Sequence, residues 1–349
     1  MQMFQRWMTL LLVAITASGC SSGSSPQETP TADVVQTSPD QQADERSTVD
    51  LSQGTDQVDL ASTEDGNGAD VLAEILASPP ARVVAMGDLH GDLEAARRAF
   101  KLAGVIDTAD HWIGGIDVVV QTGDILDRWS QERELMDWME ALQVEARQAG
   151  GDIVMLAGNH EDNNLEEYYP DVDPDACPAF ADVPDDPSLA SPEVSPECKK
   201  RAAALLPGGT YAMKIANWKV AAIVGDSAFV HGGLLPQYVS SPESIDSMNA
   251  RWTSFAKGES GPDADEDIYE CMWDRSYSDD DVVPNCKSLS TLLASLGVSR
   301  MVVGHTRWPH INSACDGKVW RIDTGMSSYY GGNVEVLEIA ETAVTPLAE

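Results

Sequence analysis

Basic side chains are scarce in this sequence. Lys and Arg number 22 against 57 Asp and Glu, a formal net charge of −35 over 349 residues. Nucleic-acid phosphates are gripped by clustered cations, so this balance excludes a sequence-independent nucleic-acid binder and disfavours adsorption to anionic lipid. Strong negative charge speaks of solubility and cation attraction, not of fold. Aromatic residues make up only 6%, and no pair among the six cysteines has zinc-knuckle spacing. No internal repeat is evident. Long apolar runs are missing except at the extreme N-terminus, and a membrane span needs about 20 apolar residues. The hydrophobic fraction of 43% is nonetheless enough for a sizeable core.

That N-terminal run, Trp7–Ala17, follows Arg6 and ends in small residues before Cys20. This is the layout of a bacterial secretory signal. Ala17-Ser18-Gly19-Cys20 resembles the lipobox of bacterial lipoproteins. The resemblance implies a signal peptide over 1–19, lipidation at Cys20, and an exported protein anchored to the membrane and facing the periplasm. A plain signal peptide is the simpler alternative. Residues 20–70 are rich in Ser, Gly, Thr, Gln, Asp and Pro, and Ser21–Asp70 has no aromatic residue. Such a segment buries too little apolar surface to order itself, and it is expected to be a disordered acidic tether.

Residues 71–349 carry the globular pattern. Arg82–Met86, Ile116–Gln121 and Ile153–Ala157 read as buried strands, and Leu93–Ala103 and Gln131–Gln148 as amphipathic helices. The alternation implies βαβ units with a parallel core. Tyr211–Ala216, Lys219–Val224 and Ala228–Val230 read as antiparallel neighbours, followed by strands at Arg300–Val303, Val319–Asp323 and Val334–Ile339. The fold class is mixed α/β, with two sheets packed together. A Pro- and Asp-rich insertion at about 162–207 is expected to form solvated loops. Disulfides are permitted in an exported chain, and local pairing predicts Cys177–Cys198 and Cys271–Cys286, with Cys315 free.

Ligand-type residues collect where the strands end. The turns are Gly87-Asp88-Leu89-His90-Gly91-Asp92, Gly123-Asp124-Ile125-Leu126-Asp127-Arg128 and Gly158-Asn159-His160-Glu161, with His231-Gly232-Gly233 and Gly304-His305-Thr306 further on. Carboxyl ends of neighbouring parallel strands lie side by side, so these turns converge. Asp88, Asp124, Asn159, His90, His231 and His305 supply oxygen and nitrogen donors suited to divalent first-row metals. His111 and His310 stand outside the pattern.

In this order the blocks resemble the metallophosphoesterases, the calcineurin-like superfamily, whose fold is a sandwich of two packed mixed β-sheets flanked by helices. Asp127-Arg128 and Gly158–Glu161 look like its phosphoprotein phosphatase branch. Gly87–Asp92, Val230–Leu234, Trp273-Asp274-Arg275 and Ile322–Gly332 look most like the Shewanella-like protein phosphatases. Two positions depart from wider patterns. Trp129 stands where phosphoprotein phosphatases have Gly, and Arg307 stands where many superfamily members have a second His; the phosphatase branch lacks that His too.

The resemblance implies two divalent metal ions. Manganese is the first expectation, with iron, zinc and magnesium open. Asp88, His90 and Asp124 would hold one ion, and Asp124, Asn159, His231 and His305 the other. It implies a metal-bridging hydroxide attacking phosphorus in line, with His160 as general acid oriented by Asp127, and with Arg128 and Arg275 gripping the phosphoryl oxygens. Asp92 reads as a supporting or helix-capping group. The function implied is phosphomonoester hydrolysis of protein-phosphatase type, on phosphotyrosine or phosphoserine/threonine proteins or on small phosphoesters. The alternatives are a nucleotidase or dinucleoside polyphosphate hydrolase, and a metal- or ligand-binding lipoprotein without turnover.

Overall fold

Strand-forming runs of Val, Ile and Met alternate with helices stamped by apolar residues at helical spacing, and two five-stranded sheets result. The computed structural model describes residues 80–349 except 190–193, 262–265 and 341–342. The signal segment, Cys20 and the acidic tether lie outside the described residues. Among the described residues no helix is long and apolar enough to cross a membrane.

The first half runs β1 (Arg82–Met86), α1 (Leu93–Leu102), β2 (Val118–Gln121), α2 (Glu132–Gln148), β3 (Asp152–Met155) and α3 (Asn159–Leu165). The insertion then contributes two 3₁₀ turns and α4 (Lys199–Leu205). The second half runs α5 (Ala212–Ile215), β4 (Ala221–Val224), β5 (Ser227–Val230), α6 (Pro242–Ala256), α7 (Glu266–Trp273), α8 (Cys286–Leu296), β6 (Arg300–Val303), β7 (Asn312–Ala314), β8 (Val319–Arg321), β9 (Glu335–Ala340) and β10 (Ala343–Ala348).

One sheet has the order β10-β9-β1-β2-β3 and the other β4-β5-β6-β8-β7. In the first, β1, β2 and β3 are parallel, and β9 is antiparallel to β1. In the second, β5, β6 and β8 are parallel. Alternate side chains such as Val83, Ala85, Val118, Val120, Phe229 and Val302 fill the space between the sheets. A larger apolar cluster joins the outer faces to the helices, with Leu135, Met136, Met139 and Leu142 at helical period on α2. Fully burying side chains of this size stabilises by about 1.5–3 kcal/mol each.

Three expectations need correction. Tyr211–Ala216 is not a strand: Ala212–Ile215 forms a helical turn that buries Tyr211, Ala212, Ile215 and Ala216, a spacing of one helix face. The disulfides are Cys177–Cys198, as predicted, and Cys286–Cys315. Among the described residues Cys271 is the free thiol, because α7 turns it into the core while Cys286 opens α8 beside the strand-end turn bearing Cys315. The insertion is also more than solvated loops: Cys177, Val194, Cys198 and Ala202 form a small buried cluster of their own. Strands β7 and β10 were not read from the sequence; both lie at sheet edges and contain no fully buried residue.

Candidate active site

Six parallel strand ends deliver the site. Asp88 and His90 follow β1, Asp124 follows β2 and Asn159 follows β3. From the other sheet, His231 follows β5, His305 follows β6 and Asp323 follows β8. All seven side chains are buried. Contacts across the sheets hold the two sets of ends together: His231 Nδ1 lies 2.8 Å from Thr122 O, and His305 N–H donates to Asp88 Oδ1 at 3.2 Å.

The backbone here is strained. His90, Asp124, Asp127, Arg128 and His305 all have φ between 44° and 71°, a region costly for side chains with a Cβ. Neighbouring groups hold them there. Leu89 and His90 N–H both donate to Asp124 O, at 3.0 and 2.9 Å. Glu161, itself fully buried, accepts the N–H groups of Asp124, Ile125, Leu126 and Gly158. Close approach explains Gly158, since a Cβ there would sit 2.3 Å from Asp124 Oδ1.

The imidazoles are oriented by their second nitrogens. A carbonyl oxygen only accepts, so His231 Nδ1 at Thr122 O and His90 Nδ1 at Leu126 O (3.1 Å) carry the hydrogens. Each Nε2 then turns a lone pair inward, as a metal ligand must. His231 Nε2 lies 3.0 Å from Asn159 Oδ1, 3.1 Å from His305 Nδ1 and 3.3 Å from Asp124 Oδ1. His90 Nε2 lies 3.7 Å from Asp124 Oδ2 and 4.0 Å from Asp88 Oδ2. Asp124 thus faces both groups, one oxygen toward each.

Burial and the charges of Asp323 and Asp124 push Asp88 well above the usual carboxylate range. Burial, with Asp124, pushes Asp323 up to about 6. His305 Nε2 is buried with no hydrogen-bond partner. Converging carboxylates, the inward Nε2 lone pairs of His90 and His231, and His305 Nδ1 beside them form a donor set that a pair of divalent cations fits.

His160 stands as near Asp124 Oδ2 (3.8 Å) as His90 does, so distance alone does not separate their roles. Their partners do. His160 Nδ1 is 2.8 Å from Asp127 Oδ2, a carboxylate rather than a carbonyl. Burial works against charge on this ring, but Asp124 and Asp127 outweigh it and raise the pKa to about 9. Burial and the nearby charge of His160 lower His90 to about 3. Arg128 Nη2, 3.2 Å from His160 Nε2, works against the raised value and marks the open side of the ring.

The comparisons with known proteins fall on the same segment. The calcineurin-like phosphoesterase family matches residues 81–309. This chain belongs to that family. The phosphoesterase is 37% identical over 294 residues to Shewanella-like protein phosphatase 2 of Arabidopsis thaliana, covering 74% of this chain and 75% of the relative. It is 27% identical over 262 residues to Shewanella-like protein phosphatase 1 of Plasmodium berghei, covering 71% and 68%. Among solved structures it is similar in fold to the cold-active protein-tyrosine phosphatase of a psychrophilic Shewanella species. That match has a TM-score of 0.62 and 24% identity, and covers 76% of this chain and 80% of that one.

Around this phosphoesterase's pocket the other sequence-predicted residues take these places. Arg275 Nη1 donates to Thr306 Oγ1 at 2.8 Å, beside His305, while Asp274 turns away to Ser276. Asp92 caps α1 through Ala95 N–H and also accepts Ser328 N–H, tying two site loops together. Tyr330 is edge-on to His90, with ring centres 5.5 Å apart. His111 and His310 lie outside the site, at Glu145 and Glu335. The clamp role of Glu161, the buried Asp323, Arg307 against Tyr330, and a buried Arg201 were not read from the sequence. The first two sit inside quoted motifs. Arg201 follows Lys199 and Lys200 and reads as part of a solvated basic face.

Proposed function

We propose that this phosphoesterase is a phosphomonoesterase of protein-phosphatase type, acting on phosphotyrosine or phosphoserine/threonine proteins with two divalent metal ions, manganese foremost. Asp88, His90 and Asp124 would hold one ion, and Asp124, Asn159, His231 and His305 the other. The chemistry such a pair supplies when bound is Lewis-acid charge at the phosphoryl oxygens and acidification of an attacking water.

The observation that carries the reading is the His160–Asp127 pair aimed at Asp124. A protein that only binds metal has no use for a buried proton donor beside its ligands. His160 holds a proton at Nε2 for the leaving alkoxide or phenolate, and Asp127 fixes the ring from Nδ1; a positioned acid contributes roughly 10²–10⁴-fold. Arg128 lies beside His160 and Arg275 beside His305, and their guanidinium forks match phosphoryl oxygens. We also propose export and membrane anchoring through lipid on Cys20, with the folded part in the periplasm.

A panel of phosphopeptides, nucleotides and dinucleoside polyphosphates, assayed with Mn²⁺ against the parent and Asp124→Asn, tests this. Phosphopeptides should be turned over by the parent alone. Preference for nucleotides, or activity surviving in Asp124→Asn, would overturn it. Cys20→Ser should move the protein from the membrane to the soluble fraction.

A further inference from the structure

From the far end of the insertion, a buried guanidinium reaches back to the acid half of the site. Arg201, on α4, is 1% exposed although Lys199 beside it is in solvent. Its Nη2 donates to Asp127 Oδ1 at 2.8 Å and to Glu132 Oε2 at 2.7 Å, its Nε donates to Glu132 Oε1, and its Nη1 donates to Asn164 Oδ1 at 2.7 Å. Asn164 Nδ2 passes the restraint on, donating to Asp127 Oδ2 at 2.9 Å and to His160 O at 2.8 Å. Glu132 Oε2 accepts the Asp127 backbone N–H at 3.0 Å.

Asp127 is therefore held on every side. One carboxylate oxygen is taken by Arg201; the other is shared by Asn164 and His160. Its backbone, with φ 66°, sits in a left-handed conformation that only surrounding contacts can maintain. Taking a guanidinium out of water is costly, and it is retained here between two carboxylates in a geometry that fixes both. The Cys177–Cys198 disulfide ends three residues before Arg201, and its cluster includes Ala202, so the element bearing the guanidinium is itself anchored.

We propose that Arg201 is a positioning residue for phosphoester cleavage: it locks the Asp127 carboxylate in the plane that aims His160 at the leaving oxygen. The insertion is then a working part of the active site. This rests on His160 being the proton donor, as proposed above.

The test uses the full chain loaded with Mn²⁺, in four forms: Arg201→Met, Arg201→Lys, His160→Ala, and His160→Ala combined with Arg201→Met. Phenyl phosphate, a poor leaving group, is compared with p-nitrophenyl phosphate, a good one. Arg201→Met should lower kcat on phenyl phosphate by roughly tenfold to a hundredfold, with a smaller loss on p-nitrophenyl phosphate and KM little changed. Metal content by elemental analysis should match the parent. In the His160→Ala background the second substitution should add nothing, because its route of action is already gone. Arg201→Lys keeps the charge but not the fork. It should lose less, and it carries the test if the Met variant does not fold. Multiplying losses in the double variant, or equal losses on both substrates, would overturn the inference and leave the reading of His160 standing. A His160→Ala enzyme with unchanged kcat would instead remove the proton donor itself.

Discussion

Glu161 holds the backbone of Asp124: the Asp124 N–H donates to Glu161 Oε2 at 2.9 Å. The same oxygen takes Gly158 N–H at 2.7 Å, and Oε1 takes those of Ile125 and Leu126 at 2.9 and 3.0 Å. One carboxylate thus satisfies four amides from two strand-end turns and ties Asp124, the proposed shared ligand, to the helix bearing Asn159 and His160.

Glu161→Ala should therefore damage metal binding without touching a ligand. Four buried N–H groups would lose their acceptor, which should cost about 3 kcal/mol or more of stability. Metal affinity should fall roughly 10–100-fold, as it does when the support of ligands is removed. Urea unfolding and Mn²⁺ titration check both. Unaltered affinity would mean the turns hold themselves.

Gly158→Ala should have a more local effect. The new Cβ would meet Asp124 Oδ1 at 2.3 Å and His231 Cε1 at 2.9 Å, between the two candidate ligands. The expected outcome is a folded protein with reduced metal content and activity, read by elemental analysis beside circular dichroism. A fully loaded and active variant would show that Asp124 can shift freely.

Metal removal should flatten the dependence of stability on pH. Without cations, burial and Asp124 push Glu161 up to about 7 and Asp323 up to about 6. Both lie above their unfolded values, so these two carboxyls contribute stability that is lost as pH rises from about 4 toward 7. His90 and His305, held neutral by burial, contribute in the opposite sense over the same window, and the two effects largely offset in the stripped protein. With Mn²⁺ the ligands must be deprotonated to bind, so stability should rise over the same range. Melting temperatures in chelator and in Mn²⁺ between pH 5 and 8 decide it; parallel curves would speak against a metal at these carboxylates.

Much of the site was legible because its chemistry sits in strand-end turns, where residue type and order are informative without tertiary detail. Asp88, His90, Asp124, Asn159, His231 and His305 meet because β1, β2 and β3 run parallel in one sheet, β5 and β6 run parallel in the other, and contacts such as His231 to Thr122 O join the two sets of ends. What supports them was less legible. The acceptor role of Glu161 depends on where four amides point, which no side-chain pattern records. Arg201 comes from an insertion whose composition reads as solvated, and only its contacts with Asp127 and Glu132 separate it from its two lysine neighbours. Tyr211–Ala216 was misread because six residues fit either period.

The Cys271–Cys286 pairing failed for a similar reason, since nearness in sequence is not nearness in space, whereas Cys177–Cys198 holds. Non-reducing peptide mapping should recover Cys177 joined to Cys198 and Cys286 joined to Cys315. Cys271 should be alkylated only after unfolding, because burial pushes its thiol up to about 12. Cys286→Ser should destabilise by about 2–4 kcal/mol. Recovery of a Cys271–Cys286 peptide would refute this arrangement.

Tyr330 is wedged between the cationic groups of the pocket. The guanidinium carbon of Arg307 lies 4.1 Å from its ring centre and that of Arg128 lies 5.5 Å away, while the ring itself stands edge-on to His90. The ring face attracts both cations, so on the proposed reading the side chain spaces Arg128 for a phosphoryl group rather than reacting with it. Tyr330→Ala should free both guanidinium groups and raise KM for p-nitrophenyl phosphate about three- to tenfold, with a smaller change in kcat. Tyr330→Phe keeps the ring and should behave like the parent. If Phe proves as harmful as Ala, the hydroxyl and not the stacking surface is what the enzyme uses at this position.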